Sequence, residues 1–425
     1  MTDKPMKSQT KAVSVNGRAY SWPKAPLVVI CCDGSEPDYM EFALAEGLMP
    51  NLKKMIVGGE NTRGLCVIPS FTNPNNLSIV TGAPPAVHGI CGNYLIDPAT
   101  GLETMMNDPK WLRAPTIFEK FQQAGAKVAV VTAKDKLRLL LGKGLVFDGT
   151  AVAFSSEHAD KASMKDNGIE GVCDMVGMAV PEVYSAELSE FVFSAGAKLL
   201  ASMRPDLMYL STTDYVQHKY APGSKGANSF YKMMDGYLGR LDAQGAIVVI
   251  IADHGMKAKH LPGGEPDVIY LQDALDRSFG AGTTNVILPI TDPYVQHHGA
   301  LGSFATVYLK GPTVDEVSKI ISQQPGIDVV LDRKQACARF ELPEDRMGDI
   351  IVLSGGATGS KVIGTSRVRH DLSGLNEPLR SHGGLTEQTV PVIINRRINR
   401  RVQNLPKPLR NFDAFFIGCN CIIEA

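Results

Sequence analysis

Short uninterrupted apolar runs alternate with amphipathic stretches along most of the chain. Pro26–Cys32 (PLVVICC) and Ala246–Ala252 (AIVVIIA) are apolar throughout, and Lys127–Thr132 (KVAVVT) and Leu207–Thr212 (LMYLST) are shorter runs of the same kind. Runs of strand length without polar alternation belong to strands buried on both faces. Between them, Met49–Val57, Thr116–Ala124, Glu187–Met203 and Asn228–Asp242 carry apolar residues at helical spacing. Buried strands separated by helices predict an α/β fold with a mostly parallel sheet covered on both sides. From about residue 283 the texture changes. Thr284–Ile290, Ser303–Lys310, Asp328–Leu331 and Asp349–Leu353 read as strands around one helix, Thr313–Gln323. This predicts a small α+β unit inserted into the main fold. The expected division is a core over 22–284 and 379–425, an inserted cap over 285–378, and a loosely held polar arm over 1–21.

Composition narrows the class without naming a chemistry. The 425 residues carry 43 Lys and Arg against 44 Asp and Glu, a formal charge of −1, which gives no electrostatic drive toward nucleic acid or an anionic membrane. The apolar runs stop well short of the ~20 residues needed to span a bilayer. The amino terminus, MTDKPMKSQTK, has no apolar leader segment, so a cytoplasmic location is expected. The eight cysteines form no CxxC pair and sit largely in apolar runs, as reduced structural thiols do.

Candidate chemistry begins where strands end. PLVVICC runs into Asp33, LMYLSTT into Asp214 and AIVVIIA into Asp253. Ligands of open α/β sheets bind beyond the carboxyl ends of the strands, although any one such Asp could simply cap the next helix. The histidines change the balance. Asp214 and His218 stand at i and i+4, on one face of a helical turn; Asp253 and His254 are adjacent; His382 lies in Ser-His-Gly-Gly. Together these six residues offer the mixed nitrogen and oxygen ligands suited to zinc, and less well to manganese. Upstream, the strand-like Gly64–Ile68 leads to Pro69-Ser-Phe-Thr-Asn-Pro-Asn-Asn76. Asn73 as cap and Pro74 as first helical residue would put Thr72 at a helix mouth, where free N–H groups favour an anion. A metal-bound threonine hydroxyl is a strong nucleophile; the alternative is a plain turn residue.

The order Asp33, Thr72, Asp214-x3-His218, Asp253-His254-Gly255, His382-Gly383 resembles the alkaline phosphatase superfamily over nearly the whole chain. Within it, the pattern is most similar to nucleotide pyrophosphatase/phosphodiesterases and phosphonoacetate hydrolases. The resemblance implies an alkaline phosphatase-like three-layer sandwich with the cap inserted before the last metal-binding His. It also implies two zinc ions, one on Asp214, His218 and His382, the other on Asp33, Asp253, His254 and the Thr72 oxygen. His88-Gly89-Ile90-x-Gly92-Asn93 is similar to the segment in which an Asn donates to a phosphoryl oxygen, so Asn93 inherits that role. Arg346-Met-Gly-Asp-Ile350 likewise resembles the segment preceding the last His. Lys134 and Lys136, just beyond KVAVVT, could be solvated loop residues. The similarity of VVTAKDKLRLLLG and ITDPYVQHHGALGSF to phosphonoacetate hydrolases implies instead that they hold a substrate carboxylate. His297 and His298 lie in the second stretch, as pocket, core or surface residues alike. The implied reaction is hydrolysis of a carbon–phosphorus bond through a phosphothreonine, with a small phosphonate as partner and a homodimer left open. The rivals are a zinc phosphodiesterase or phosphomonoesterase, a phosphomutase-like enzyme, and a non-catalytic binding protein on the same scaffold.

Overall fold

In the computed structural model the described residues are 12–291, 299–356, 359–370, 372, 375, 377–402 and 405–423. The central sheet has seven strands, in chain order β1 (Leu27–Cys31), β2 (Glu60–Leu65), β3 (Val128–Thr132), β4 (Ala151–Ser155), β5 (Leu207–Ser211), β6 (Ile247–Ile251) and β7 (Thr389–Ile394). Across the sheet their order is β2-β7-β6-β1-β5-β3-β4. Strands β6, β1, β5, β3 and β4 pair in parallel, while β7 runs antiparallel to both β6 and β2.

Side-chain alternation sends each strand into two cores. Val29, Val130, Tyr209 and Val249 face one side and pack with the helices Thr72–Thr81, Ile117–Gln123, Asp135–Leu141 and Ala414–Asn420. Val28, Ile30, Val131, Leu210 and Ile250 face the other, under Pro37–Ala45, Pro50–Gly58, Glu187–Ser202 and Lys225–Ala243. Each buried aliphatic side chain contributes roughly 1.5–3 kcal/mol, so the unbroken apolar runs can lie only at the centre of this sandwich.

Two strands escaped the sequence reading. Pro391 lies inside β7, and proline argues against a central strand; here the β6 pairing ends at Ile251↔Val392, so Pro391 has no β6 partner. The run AVAFS of β4 is short, and two of its five residues are alanine. The amino-terminal arm also needs correction. Ala12–Val15 and Arg18–Ser21 form an antiparallel hairpin across Asn16-Gly17, and Val15 and Tyr20 are buried in the first core. The alternation in AVSV and AYS is a strand signal that the neighbouring polar residues hid. Residues 1–11 lie outside the described residues.

Between β6 and β7 the chain forms a second, antiparallel sheet of four strands: Thr284–Ile287, Phe304–Leu309, Ile350–Ser354 and Ile327–Asp332, in that spatial order. Helix Val314–Ser322 opens with a Thr313/Glu316 capping box, and Arg333–Phe340 is a second helix beside it. Arg346 fastens this unit to the core. Its buried guanidinium donates to the carbonyls of Gly89 (2.6 Å) and Trp111 (2.7 Å) and lies over the Trp111 ring. The eight cysteines are free, and all but Cys173 are buried. Among the described residues, no helix is long and apolar enough to cross a membrane.

Replacing Arg346 by Met leaves two buried carbonyls without their charged donor. Arg346→Met should cost about 2 kcal/mol of unfolding free energy, read as a lower urea midpoint; an unchanged midpoint would remove Arg346 as a fastening between the two sheets.

Candidate active site

Neighbouring parallel strands deliver the acids to one place. Asp33 and Asp253 each follow the end of β1 and β6 by two residues, Asp214 follows β5 by three, and these strands are adjacent in the order β6-β1-β5. The turn after Asp33 requires glycine on two grounds. Gly34 has φ +69°, and a Cβ there would stand 3.0 Å from Asp214 Cβ.

The residues form two clusters, Asp214/His218/His382 and Asp33/Asp253/His254, each with its ligand atoms within 4.8 Å of one another. His218 Nε2 is 2.9 Å and His382 Nε2 3.7 Å from Asp214 Oδ2. His254 Nε2 is 3.3 Å from Asp33 Oδ1 and 3.6 Å from Asp253 Oδ2. The His254 and His382 rings stack at 3.7 Å, which sets the clusters side by side.

The other nitrogen of each ring decides what these contacts mean. His218 Nδ1 meets the Arg380 carbonyl at 2.7 Å, His254 Nδ1 the Gly255 carbonyl at 2.9 Å, and His382 Nδ1 the Ser70 carbonyl at 2.7 Å. A carbonyl only accepts, so each Nδ1 carries the proton and each Nε2 turns a lone pair toward carboxylate oxygens. Lone pairs facing carboxylates call for a cation between them. Asp33 Oδ1, buried 3.3 Å from His254, receives no hydrogen bond among the described residues. Burial, then Asp253 and Asp214, push the Asp33 carboxyl well above its ordinary range. Burial also raises Asp253, against the opposing pull of His254. Burial, with His254 and His218 beside it, holds the His382 imidazole well below its usual value. Divalent ions would reverse each of these penalties. Three imidazoles, three carboxylates and a hydroxyl make a donor set that fits zinc.

Thr72 Oγ1 lies 3.4 Å from His254 Nε2. Its helix starts earlier than expected, at Thr72 itself, with Phe71 as the cap instead of Asn73. The first backbone bond of the turn runs from Asn75 N–H to the Phe71 carbonyl. Pro74 therefore sits in the opening turn, where a missing N–H costs nothing. Thr72 still stands at the helix mouth.

Asn76, one turn on, contacts both the candidate ligand Asp253 and the Thr72 backbone and was not singled out from the sequence. Its Nδ2 donates to Asp253 Oδ2 (3.1 Å) and to the Thr72 carbonyl (3.0 Å), while its Oδ1 accepts from Tyr209 (2.7 Å) and Ser211 (3.0 Å). One amide thus orients a candidate ligand and the candidate nucleophile together. Nothing local in the sequence signals it, because its side-chain partners Asp253, Tyr209 and Ser211 lie far along the chain.

A cavity of about 260 Å³ opens over Asp33, Thr72, Asp214 and His382, and Asn93, Lys134 and Lys136 line it as well. That volume lies below the range of drug-sized pockets, so the site suits a small substrate. Asn93 Nδ2 reaches the Ile290 carbonyl at 3.5 Å. Lys134 Nζ lies 4.0 Å from Glu157 and 5.4 Å from the Tyr184 ring centre. Tyr184, Tyr215 and Glu157 also line the cavity and were not anticipated. His88, in the Asn93 segment, is a core histidine. Its Nδ1 accepts from Ile90 N–H, Nε2 contacts Ser78, and burial pushes its pKa down to about 3. His297 and His298 lie outside the described residues.

Residues 27–383 match the model of the type I phosphodiesterase/nucleotide pyrophosphatase family. Structures of a phosphonoacetate hydrolase from Sinorhizobium meliloti, in complex with phosphonoformate and with phosphonoacetate, superpose with a TM-score of 0.93 at 61% identity, over 97% of this chain and 99% of that one. Human ectonucleotide pyrophosphatase/phosphodiesterase 5 shares the fold, with a TM-score of 0.63 at 18% identity, over 93% of this chain and 94% of that one. A venom phosphodiesterase of Macrovipera lebetinus is 23% identical over 268 residues, 59% of this chain and 28% of that protein. The chain spans less than a third of the length of the curated relatives it matches.

Asn76→Leu keeps the volume but removes the donor to Asp253. Metal affinity should fall about tenfold, as for other residues that orient a ligand, measured by competition with a chromophoric chelator. Affinity equal to that of the unmodified chain would mean that Asp253 needs no orienting donor.

Proposed function

The chain belongs to the type I phosphodiesterase/nucleotide pyrophosphatase family, and we propose that its reaction is hydrolysis of the carbon–phosphorus bond of phosphonoacetate to acetate and phosphate. It is a hydrolase of carbon–phosphorus bonds, similar over 97% of its length to a phosphonoacetate hydrolase at 61% identity. The observation that carries the substrate reading is the shared cavity: Thr72 and both metal clusters border the same small space as Lys134 and Lys136. Phosphonoacetate has two anionic ends, and the cavity has two matching sets of groups.

The family is one of metal-dependent phosphoesterases, and two zinc ions suit these donors. Asp214, His218 and His382 would hold one; Asp33, Asp253, His254 and the Thr72 oxygen would hold the other. When bound, such ions lower the pKa of a hydroxyl and offset charge on phosphoryl oxygens. Thr72 Oγ, its hydroxyl proton released to solvent, attacks phosphorus in line. A P–O bond forms, the C–P bond breaks, and its electron pair goes to carbon. Lys134 and Lys136 hold the carboxylate into which that pair delocalises, stabilising charge where it develops. A proton from solvent completes acetate. Asn93 donates to a phosphoryl oxygen, and the free N–H groups at the helix mouth around Thr72 favour the same anion. Water then attacks phosphorus of the phosphothreonine, releasing phosphate and restoring the hydroxyl.

Thr72→Ala should lower kcat by roughly four orders of magnitude while metal content stays at the level of the unmodified chain; turnover retained at full metal content would remove Thr72 as nucleophile. The lysine pair separates this reading from a phosphodiesterase or phosphomonoesterase. Lys134→Ala/Lys136→Ala should reduce kcat/KM for phosphonoacetate roughly 100-fold but for a nitrophenyl phosphate ester by only about threefold, the difference being the lost charge-assisted hydrogen bonds. Equal losses on both substrates would assign the lysines a general electrostatic role.

A further inference from the structure

Lys259 is wholly buried, with its side chain 0% exposed, and so is its partner Glu387. Its ammonium donates to Ser303 Oγ at 2.9 Å, to the Gly359 carbonyl at 2.6 Å and to Glu387 Oε1 at 2.8 Å, using all three of its protons. The three acceptors come from three places: Ser303 precedes the second-sheet strand Phe304–Leu309, Gly359 follows the strand Ile350–Ser354, and Glu387 ends the turn after His382.

Glu387 then reaches both candidate metal clusters. Its Oε2 accepts the Gly384 N–H at 3.0 Å, two residues from His382. Its backbone carbonyl accepts the Gly255 N–H at 2.8 Å, and Gly255 carbonyl in turn orients His254. Ser303 closes the circuit, because its N–H donates to the His382 carbonyl at 2.9 Å. The segment that carries His382 has little regular structure of its own. Two strand residues, Arg380–Ser381, precede it, and Gly383 holds φ +118° with a Cβ position only 2.5 Å from the Phe71 ring. Its shape is therefore set by contacts from outside, and the ion pair anchors the far end of the turn.

A buried ion pair is a weak means of stabilising a fold, since desolvation offsets most of its attraction; setting a unique geometry is the better-attested use. We propose that Lys259 and Glu387 are positioning residues for His382, joining the second sheet to the metal-binding loop so that the Asp214/His218/His382 cluster keeps its ligand geometry. This rests on the reading of His382 as a metal ligand.

The test compares zinc-loaded proteins titrated with a chromophoric chelator, which reads the two metal affinities separately, alongside thermal unfolding of the same samples. Lys259→Met alone would leave Glu387 buried and uncompensated, so the informative variant is Lys259→Met/Glu387→Gln, which removes both charges in similar shapes. In that variant one ion should bind roughly 10–100-fold more weakly and the other within about threefold of its original affinity, with cooperative unfolding retained. Ser303→Ala, which keeps the ion pair but removes one acceptor, should weaken the same ion to a smaller degree. Unchanged affinities in a folded double variant would overturn the proposal. So would a double variant that fails to fold while Ser303→Ala binds both ions normally, because the pair would then serve global stability alone. His382→Ala separates the premise: two tightly held ions in that variant would defeat the ligand reading itself.

Discussion

Like charges buried together govern this molecule. Asp33, Asp214 and Asp253 arrive at one edge because β1, β5 and β6 are adjacent and parallel, and three imidazoles pack among them. Burial pushes the Asp33 and Asp253 carboxyls up and the His382 imidazole down, each toward its neutral state. Positive charge held between these ligands would offset the burial penalties, which links the strand order of the core to the electrostatics of the candidate site.

Backbone carbonyls do much of the preparation. The carbonyls of Arg380, Gly255 and Ser70 each accept a hydrogen bond from one imidazole Nδ1–H and thereby aim the opposite nitrogen inward. Those carbonyls are held in turn. Ser70 Oγ accepts the Gly383 N–H and donates to the Gly384 carbonyl, so the strand-to-helix turn carrying Thr72 is laced to the loop carrying His382. The candidate nucleophile and a candidate metal ligand, 310 residues apart, share one local network as a result. The opposite cavity wall has a similar economy, since Lys134 is flanked by Glu157 and the Tyr184 ring.

Much of this was legible from short-range pattern. Apolar runs located β1, β3, β5 and β6, and the acids following three of them marked the edge where the two candidate clusters form. The i, i+4 spacing of Asp214 and His218 survives as a contact of 2.9 Å. What stayed hidden has a common cause. Asn76 bonds to residues 133 and 177 positions away, and Lys259 to one 128 positions away. No local period records such pairs. Strand β7 was masked by Pro391, whose tolerance depends on where β6 happens to end, and the amino-terminal hairpin by polar residues that its buried partner positions outweigh.

By itself, then, the sequence determined the alternation of strand and helix, the sites where carboxylates follow buried strands, and the residue types able to ligate metal or attack phosphorus. These follow from local composition and spacing, which the chain carries wherever it is read. Tertiary structure alone decided which nitrogen of each imidazole faces inward, that Lys134 and Lys136 share a cavity with Thr72, and that a buried ion pair ties the second sheet to His382. Each of these depends on strand order and loop closure, which bring together groups that the chain itself keeps far apart.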